Sequence, residues 1–95
     1  MYDQLIETFI IVCMTGSFSK AARQLYLSTA AIQKQINQLE KRTRLTLFTR
    51  HKNGVVLTSA GNLFYHRALE LKKSVQKTLS DTTLIQNYSD QLKSL

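Results

Sequence analysis

Apolar residues recur at helical spacing through the amino-terminal part of the chain and predict two helices. Residues 3–15 form one broad apolar face, which contains Leu5, Ile6, Phe9, Ile10, Val12 and Cys13. Gly16 predicts the end of this helix, because glycine adopts the left-handed conformation at little cost. Ser17 or Ser19 can cap a second helix by accepting a hydrogen bond from a free backbone N–H. We expect that helix to run to about Leu25.

A third helix is predicted over 30–43, after the cap-competent pair Ser28-Thr29. Its inward positions are Ala31 or Ile32, then Ile36 and Leu39. Its outward positions are polar or basic and include Gln33, Lys34, Asn37, Gln38 and Lys41. Two short capped helices joined by a tight turn, the second with a polar outer face, predict a helix-turn-helix.

The pattern then changes from helical to strand-like. Residues 45–50 and 55–58 are rich in β-branched and apolar side chains, and His51-Lys52-Asn53-Gly54 lies between them. Asn-Gly between two β-prone segments is a strong hairpin signal, because both residues tolerate positive φ. The sequence therefore predicts a two-stranded wing with a basic tip.

A long fourth helix is predicted from about Ala60, with Thr58 or Ser59 as its cap. Its apolar seam alternates four and three residues apart, as in a coiled coil. A helix of this length cannot bury the whole seam on so small a domain, so we expect a second copy to cover it. The residues predicted to hold this homodimer are Phe64, Ala68, Leu71, Val75 and Leu79.

The fold class predicted from these elements is mainly α: three helices and a two-stranded β wing, followed by a long dimerisation helix. The domains are residues 1–58, which form the winged helix-turn-helix, and residues 59–90, which form the linker helix. We expect 91–95 to be a frayed end or a linker to a further domain.

The excess positive charge lies in one segment of the chain. Overall, 13 Lys and Arg residues stand against 6 acids, for a net charge of +7. Residues 17–58 hold eight bases and one acid, Glu40, whereas the rest of the chain is neutral. This distribution indicates a polyanionic partner, nucleic acid or an anionic membrane surface, that meets this segment.

The remaining composition favours a cytoplasmic binding domain. Cys13, the single cysteine, is expected to be a buried small side chain rather than a reactive thiol. We expect no signal peptide, membrane segment, cofactor or metal site, because the start is acidic and the two histidines lack a second ligand at useful spacing. An enzyme is the least favoured class, since no nucleophile is paired with a base and no glycine loop could hold a phosphate.

The helix-turn-helix assigns two sets of contacts to double-stranded DNA. The outer face of the third helix is predicted to meet base edges through Thr29, Ala30, Gln33, Lys34 and Asn37. The flanking residues are predicted to meet the DNA backbone, the wing also reaching the minor groove; they are Ser17, Ser19, Lys20, Arg23, Ser28, Gln35, Gln38, Arg50, His51, Lys52 and Asn53.

Residues 1–61 resemble the N-terminal winged helix-turn-helix domain of LysR-type transcriptional regulators. The resemblance rests on Leu5 and Phe9, Gly16 to Ala22 with Leu25, Leu27-Ser28, Ala31-Ile32, Gln35-Ile36, Leu39-Glu40, Leu47 to Arg50, Gly54-Val55, Leu57-Thr58 and Ala60-Gly61. It implies a cytoplasmic dimer, or a tetramer of the full-length protein, that binds an interrupted palindrome and could contact RNA polymerase. It also implies a C-terminal effector-sensing domain, so we expect this chain to be a fragment rather than a natural truncation.

The chain departs from the family pattern at positions expected to face bases. Thr29-Ala30 replaces the common Gln-Pro, and Gln33-Lys34 replaces the common Ser-Arg. The docking is therefore expected to be shared and the DNA sequence recognised to differ. Thr43-Arg44 replaces Leu-Gly, so the turn after the third helix is expected to be shaped differently.

Two other function classes stay open at this point. The basic patch could bind DNA or RNA without sequence preference, and equal affinity for a promoter fragment and a random duplex would identify that case. The chain could instead be a protein-interaction module centred on the long helix, in which case Lys34→Ala would leave partner affinity unchanged.

Overall fold

A computed structural model describes residues 3–94 and contains four helices and one hairpin. Helix α1 spans Gln4–Thr15, α2 spans Phe18–Leu25 and α3 spans Thr29–Thr43. Strands β1 (Phe48–His51) and β2 (Gly54–Leu57) pair antiparallel, and α4 runs over Ser59–Lys93. The predicted fold class, a mainly helical winged helix-turn-helix with a long terminal helix, is confirmed.

Each helix begins at a side chain that accepts backbone hydrogen bonds. The caps are Asp3, Ser17, Ser28 and Thr58, which precede α1 to α4 in that order. Of the alternative caps, Ser19 lies inside α2 and Ser59 inside α4. These contacts satisfy N–H groups that have no partner within the helix.

The first three helices end in left-handed residues. Gly16 has φ 77°, whereas Tyr26 and Arg44 adopt φ 56° and 58° despite carrying side chains. The expectation that Arg44 would reshape the turn after α3 is wrong, because Arg44 takes the conformation that glycine favours. Its backbone N–H is bonded to the Glu40 carbonyl, which compensates for part of the conformational cost.

The core lies between α1, α2, α3 and the wing, and Phe9 is its centre. The fully buried Phe9 ring lies 5.4 Å from Phe48 on the wing and 5.2 Å from Phe64 on α4, between ring centroids. Ile32, Ile36 and Leu39 on α3 are also fully buried, and Ala31 is only half-buried. The inward face of α3 therefore uses Ile32.

The wing is shorter than predicted and turns at different residues. β1 begins at Phe48 rather than at residue 45, because Glu40 accepts hydrogen bonds from the N–H groups of Leu47 and Phe48 and fixes the preceding segment. His51 pairs with Gly54, so Lys52-Asn53 form the tip. Only Gly54 of the Asn53-Gly54 pair has positive φ, so the predicted Asn-Gly turn is wrong in detail although the hairpin is present.

Helix α4 packs on the core only through its first turns. A Cβ at Gly61 would lie 2.0 Å from the Leu47 carbonyl oxygen, so this position requires glycine for close approach. Farther along, Ala68 is buried and the Lys72 ammonium lies 3.0 Å from the Glu7 carboxylate on α1. The helix continues to Lys93, so the segment 91–95 predicted to be frayed is helical to that residue, and Leu95 lies outside the described residues.

Candidate nucleic-acid interface

An open groove of about 400 Å³ lies between the wing tip and the amino-terminal ends of α2 and α3. It is lined by residues predicted to meet DNA, including Ser17, Ser19, Thr29, Gln33, His51, Lys52 and Asn53. These residues come from three separate segments of the chain. The fold thus brings part of the predicted base-contacting set and part of the backbone-contacting set together around one groove.

Most predicted base-contacting residues are accessible along α3. Ala30, Gln33, Lys34 and Asn37 are exposed, and Thr29 is half-buried at the first turn. Their neighbours Ile32 and Ile36 are anchored in the core. This anchoring fixes the rotation of the helix and keeps the polar stripe on the outside.

The predicted backbone contacts are also accessible, with one exception. Ser19, Lys20, Arg23, Ser28, Gln38, Arg50, His51, Lys52 and Asn53 are exposed, and Ser17 is half-buried. Ser17 and Ser28 accept bonds from the N–H groups of Lys20 and Ala31, which leaves each hydroxyl proton available to donate to a phosphate.

Gln35 is the exception, because it is half-buried and its side chain bonds within the chain; its contact with the DNA backbone stays a prediction. Its carboxamide oxygen accepts a hydrogen bond from the hydroxyl of Thr8, which is fully buried on α1. The Gln4 amide in turn donates to Thr8 at 3.2 Å. The Gln35 oxygen therefore joins α3 to α1 by giving the buried Thr8 hydroxyl a hydrogen-bond partner.

Arg50 is held by contacts within the chain. Its Nη2 donates to the Asn37 Oδ1 at 2.6 Å and lies 3.8 Å from the Glu40 Oε1. Its guanidinium carbon lies 5.5 Å from the centre of the Phe18 ring, within cation–π range. Arg50 thus links the wing, α2 and α3 while its side chain stays about half exposed.

Glu40 is a site residue for which the sequence analysis gave only its charge and its match to the family pattern. One carboxylate oxygen accepts bonds from the backbone at the start of the wing, and the other faces Arg50. Its position as the one acid in a basic segment was the available signal. Its hydrogen bonds within the chain explain why an acid lies in a segment that is expected to meet a polyanion.

The charges of the interface divide into paired and unpaired groups. Arg42 forms an ion pair with Asp3 at 2.6 Å, and this hydrogen bond lowers the pKa of Asp3 and raises that of Arg42. Among residues 3–94, no ion pair involves Lys20, Arg23, Lys34, Lys41, Arg44 or Lys52. Those six cations remain available to phosphates.

Two residues predicted to hold the dimer are used within the chain. Phe64 packs edge-on against Phe9, and Ala68 is 5% exposed, so both belong to the core of the domain. Leu71 and Val75 are half-buried, and Leu79 is exposed. The large apolar side chains that stay accessible farther along α4 are Leu84, Ile85, Tyr88 and Leu92.

Other chemistry is limited in the described part of the chain. Burial raises the pKa of the Cys13 thiol to about 12, so the thiolate is scarce at neutral pH. In residues 3–94, no three His, Cys, Asp or Glu side chains come together as metal ligands. None of the described helices is long and apolar enough to cross a membrane.

The chain is similar to known regulators in sequence. The family profile described as "Bacterial regulatory helix-turn-helix protein, lysR family" matches residues 4–62. The "HTH-type transcriptional regulator HdfR" of Escherichia coli O139:H28 is 44% identical over 61 residues, which cover 64% of this chain. The chain spans about a fifth of the length of the curated relatives it matches (22% for this one).

Solved structures extend the similarity through most of the long helix. The BenM_DBD/catB site 1 DNA complex has a TM-score of 0.84 and 30% identity, covering 90% of this chain and 96% of that one. The CbnR_DBD–DNA complex has a TM-score of 0.83 and 26% identity, covering 88% and 97%. This chain belongs to the lysR family of bacterial regulatory helix-turn-helix proteins and has the winged helix-turn-helix DNA-binding fold of that family.

Proposed function

We propose that this chain binds double-stranded DNA sequence-specifically as the DNA-binding part of a bacterial transcriptional regulator in the cytoplasm. Helix α3 lies in the major groove, and the wing residues 50–54 contact the backbone or the minor groove. The observation that carries the proposal is the groove that joins the wing tip to the amino-terminal ends of α2 and α3. The similar BenM and CbnR structures, which are DNA complexes, support it.

Gln33 is assigned the main base-reading role on α3. It is exposed, it lines the groove, and its amide can both donate to and accept from an adenine edge. Lys34 beside it supplies a point charge for a guanine edge rather than a bidentate fork. The six unpaired cations of the interface would supply the affinity that does not depend on sequence.

Selection of bound duplexes from a random pool tests the specificity. We expect an enriched motif, and Gln33→Ala should cost about 1–3 kcal/mol at that site and relax one base pair. Gln76→Ala, at an exposed position on α4, is the matched control and should change neither value. A pool without any enriched sequence would contradict specific binding and favour the nonspecific alternative.

We further propose that the chain forms a homodimer through α4. Leu71, Val75 and Leu79 would continue the interface into the exposed Leu84, Ile85 and Tyr88, while Phe64 and Ala68 stay in the core. Exposed apolar residues along a helix that projects beyond the domain support a second copy.

Sedimentation of Leu79→Asp with Ile85→Asp tests the dimer. Both side chains are more than 60% exposed in the single chain, so the variant should stay folded and become monomeric. The control is Gln76→Asp with Asn87→Asp, which places two charges on polar exposed positions of the same helix. A dimer that survives the first pair would place the interface elsewhere.

A further inference from the structure

Asn37 is an exposed residue on the DNA-facing side of α3 whose side-chain orientation is fixed from within the chain. Arginine carries only donors, so the oxygen of the Asn37 amide must be the atom that faces the Arg50 Nη2, at 2.6 Å. The Asn37 amino group then has both N–H donors free, whereas the remaining lone pair of the oxygen lies beside the guanidinium.

Arg50 itself has little freedom to release this oxygen. Its guanidinium lies over the Phe18 ring at 5.5 Å, and its Nη2 faces the Glu40 carboxylate at 3.8 Å. Glu40 is 19% exposed in its side chain and is held in turn by the N–H groups of Leu47 and Phe48. Three elements of the fold therefore determine where the guanidinium lies.

The arrangement matters because adenine and guanine make opposite demands on an asparagine. A bidentate contact with adenine requires the amide oxygen to accept from N6 and the amino group to donate to N7, whereas guanine presents two acceptors, N7 and O6. An adenine amino group approaching Oδ1 would also meet the positive guanidinium. The restraint thus disfavours adenine and favours guanine.

We propose that Arg50 is a positioning residue that presents the donor side of the Asn37 amide to the major groove, so that Asn37 selects guanine over adenine at its base pair. The inference rests on the proposed function, since it requires α3 to read bases. It adds that specificity at this base pair is set jointly by the wing and by α3.

The test compares the affinities of two duplexes that differ only at the base pair whose preference disappears in Asn37→Ala. For the unmodified chain, guanine should be preferred over adenine by roughly 3- to 10-fold. Arg50→Met removes the donor and frees Oδ1, so the preference should move to adenine. The loss of phosphate attraction in this variant lowers both affinities and cancels in their ratio.

Two conservative variants separate positioning from a general structural effect. Arg50→Lys keeps a donor for Oδ1 and should retain the guanine preference. Asn37→Asp keeps a partner for Arg50 but has no donor, so guanine preference should be lost and cytosine should gain. Asn37→Asp decides the question if Arg50→Met does not fold.

The outcomes distinguish this inference from the proposed function. An enriched motif with a Gln33-dependent base pair, but with adenine equal to or preferred over guanine at the Asn37 position, overturns only the inference. An unchanged guanine preference in a folded Arg50→Met variant also overturns it, as does a motif with no Asn37-dependent position. A random pool without enrichment overturns both.

Discussion

Helices α3 and α4 are both amphipathic, yet only α3 finds all its large apolar partners within the chain. Ile32, Ile36 and Leu39 on α3 are fully buried. On α4, Leu84 and Ile85 are 67% and 68% exposed. The helical period is the same, but the covering partner differs: the DNA-binding head, residues 3–58, covers α3, whereas nothing in the described chain covers the distal part of α4.

The difference shows what an apolar period predicts and what it leaves open. The four-three spacing that starts at Phe64 and Ala68 indicates a seam, but these first members contact the core of the head. One continuous stripe thus packs the helix on its own domain at its start and stays exposed farther along. Only the three-dimensional packing locates the change between them, near Leu71 and Val75.

The largest loss of stability is expected for a substitution at the centre of the head. Phe9→Ala removes the ring that contacts Phe48 and Phe64, and should destabilise the chain by about 3–5 kcal/mol in urea unfolding. Leu84→Ala, the matched change on distal α4, should alter the stability of the monomeric chain by less than about 0.5 kcal/mol. Equal costs for the two changes in a monomer would contradict the contrast between the helices.

The next largest loss of stability is expected where α4 joins the head. Gly61→Ala places a Cβ against the Leu47 carbonyl and should cost about 3 kcal/mol, because backbone must move. In Gly16→Ala the added Cβ has no atom within 4 Å, so only the cost of a left-handed backbone remains, which is about 1 kcal/mol. Thermal unfolding of both variants measures the two losses of stability. A smaller loss in Gly61→Ala than in Gly16→Ala would mean that α4 packs less closely against Leu47.

The salt dependence of DNA binding should distinguish the head from α4. Lys52 is an unpaired cation at the wing tip, so Lys52→Ala should weaken binding to all duplexes alike and lower the slope of log affinity against log salt by about one. Lys77 is paired with Asp81 on α4, so Lys77→Ala should leave that slope unchanged. A slope that changes equally in both variants would extend the DNA contact onto the long helix.

Sequence reasoning succeeded where local chemistry decides the outcome. The caps of α2, α3 and α4, the left-handed Gly16 and the existence of the hairpin follow from side chains close in the sequence, and the family resemblance covers the same elements. It failed where a distant side chain competes with local preference. Glu40 accepts hydrogen bonds from the N–H groups of Leu47 and Phe48, and the strand begins only at Phe48. A hydrogen bond between residues this far apart does not appear in a periodic pattern.

The Asp3–Arg42 pair joins the start of α1 to the last turn of α3, and it provides the smallest test of the comparison. The hydrogen bond from Arg42 lowers the pKa of Asp3 in the folded chain. The resulting stability is complete above the unfolded pKa, about 3.9, and is lost as the pH falls through the lower folded value.

Asp3→Asn isolates this contribution, because asparagine still caps a helix but does not ionise. The unmodified chain should therefore be the more stable at neutral pH, and its advantage should shrink as the pH falls below about 4. Urea midpoints measured across that range give the difference. Asp81→Asn on α4 removes a pair between residues four apart in one exposed helix, so at neutral pH it should change the urea midpoint less than Asp3→Asn does. A larger change at Asp81 would mean that the pair between two helices of the head contributes less to stability than the local pair on α4.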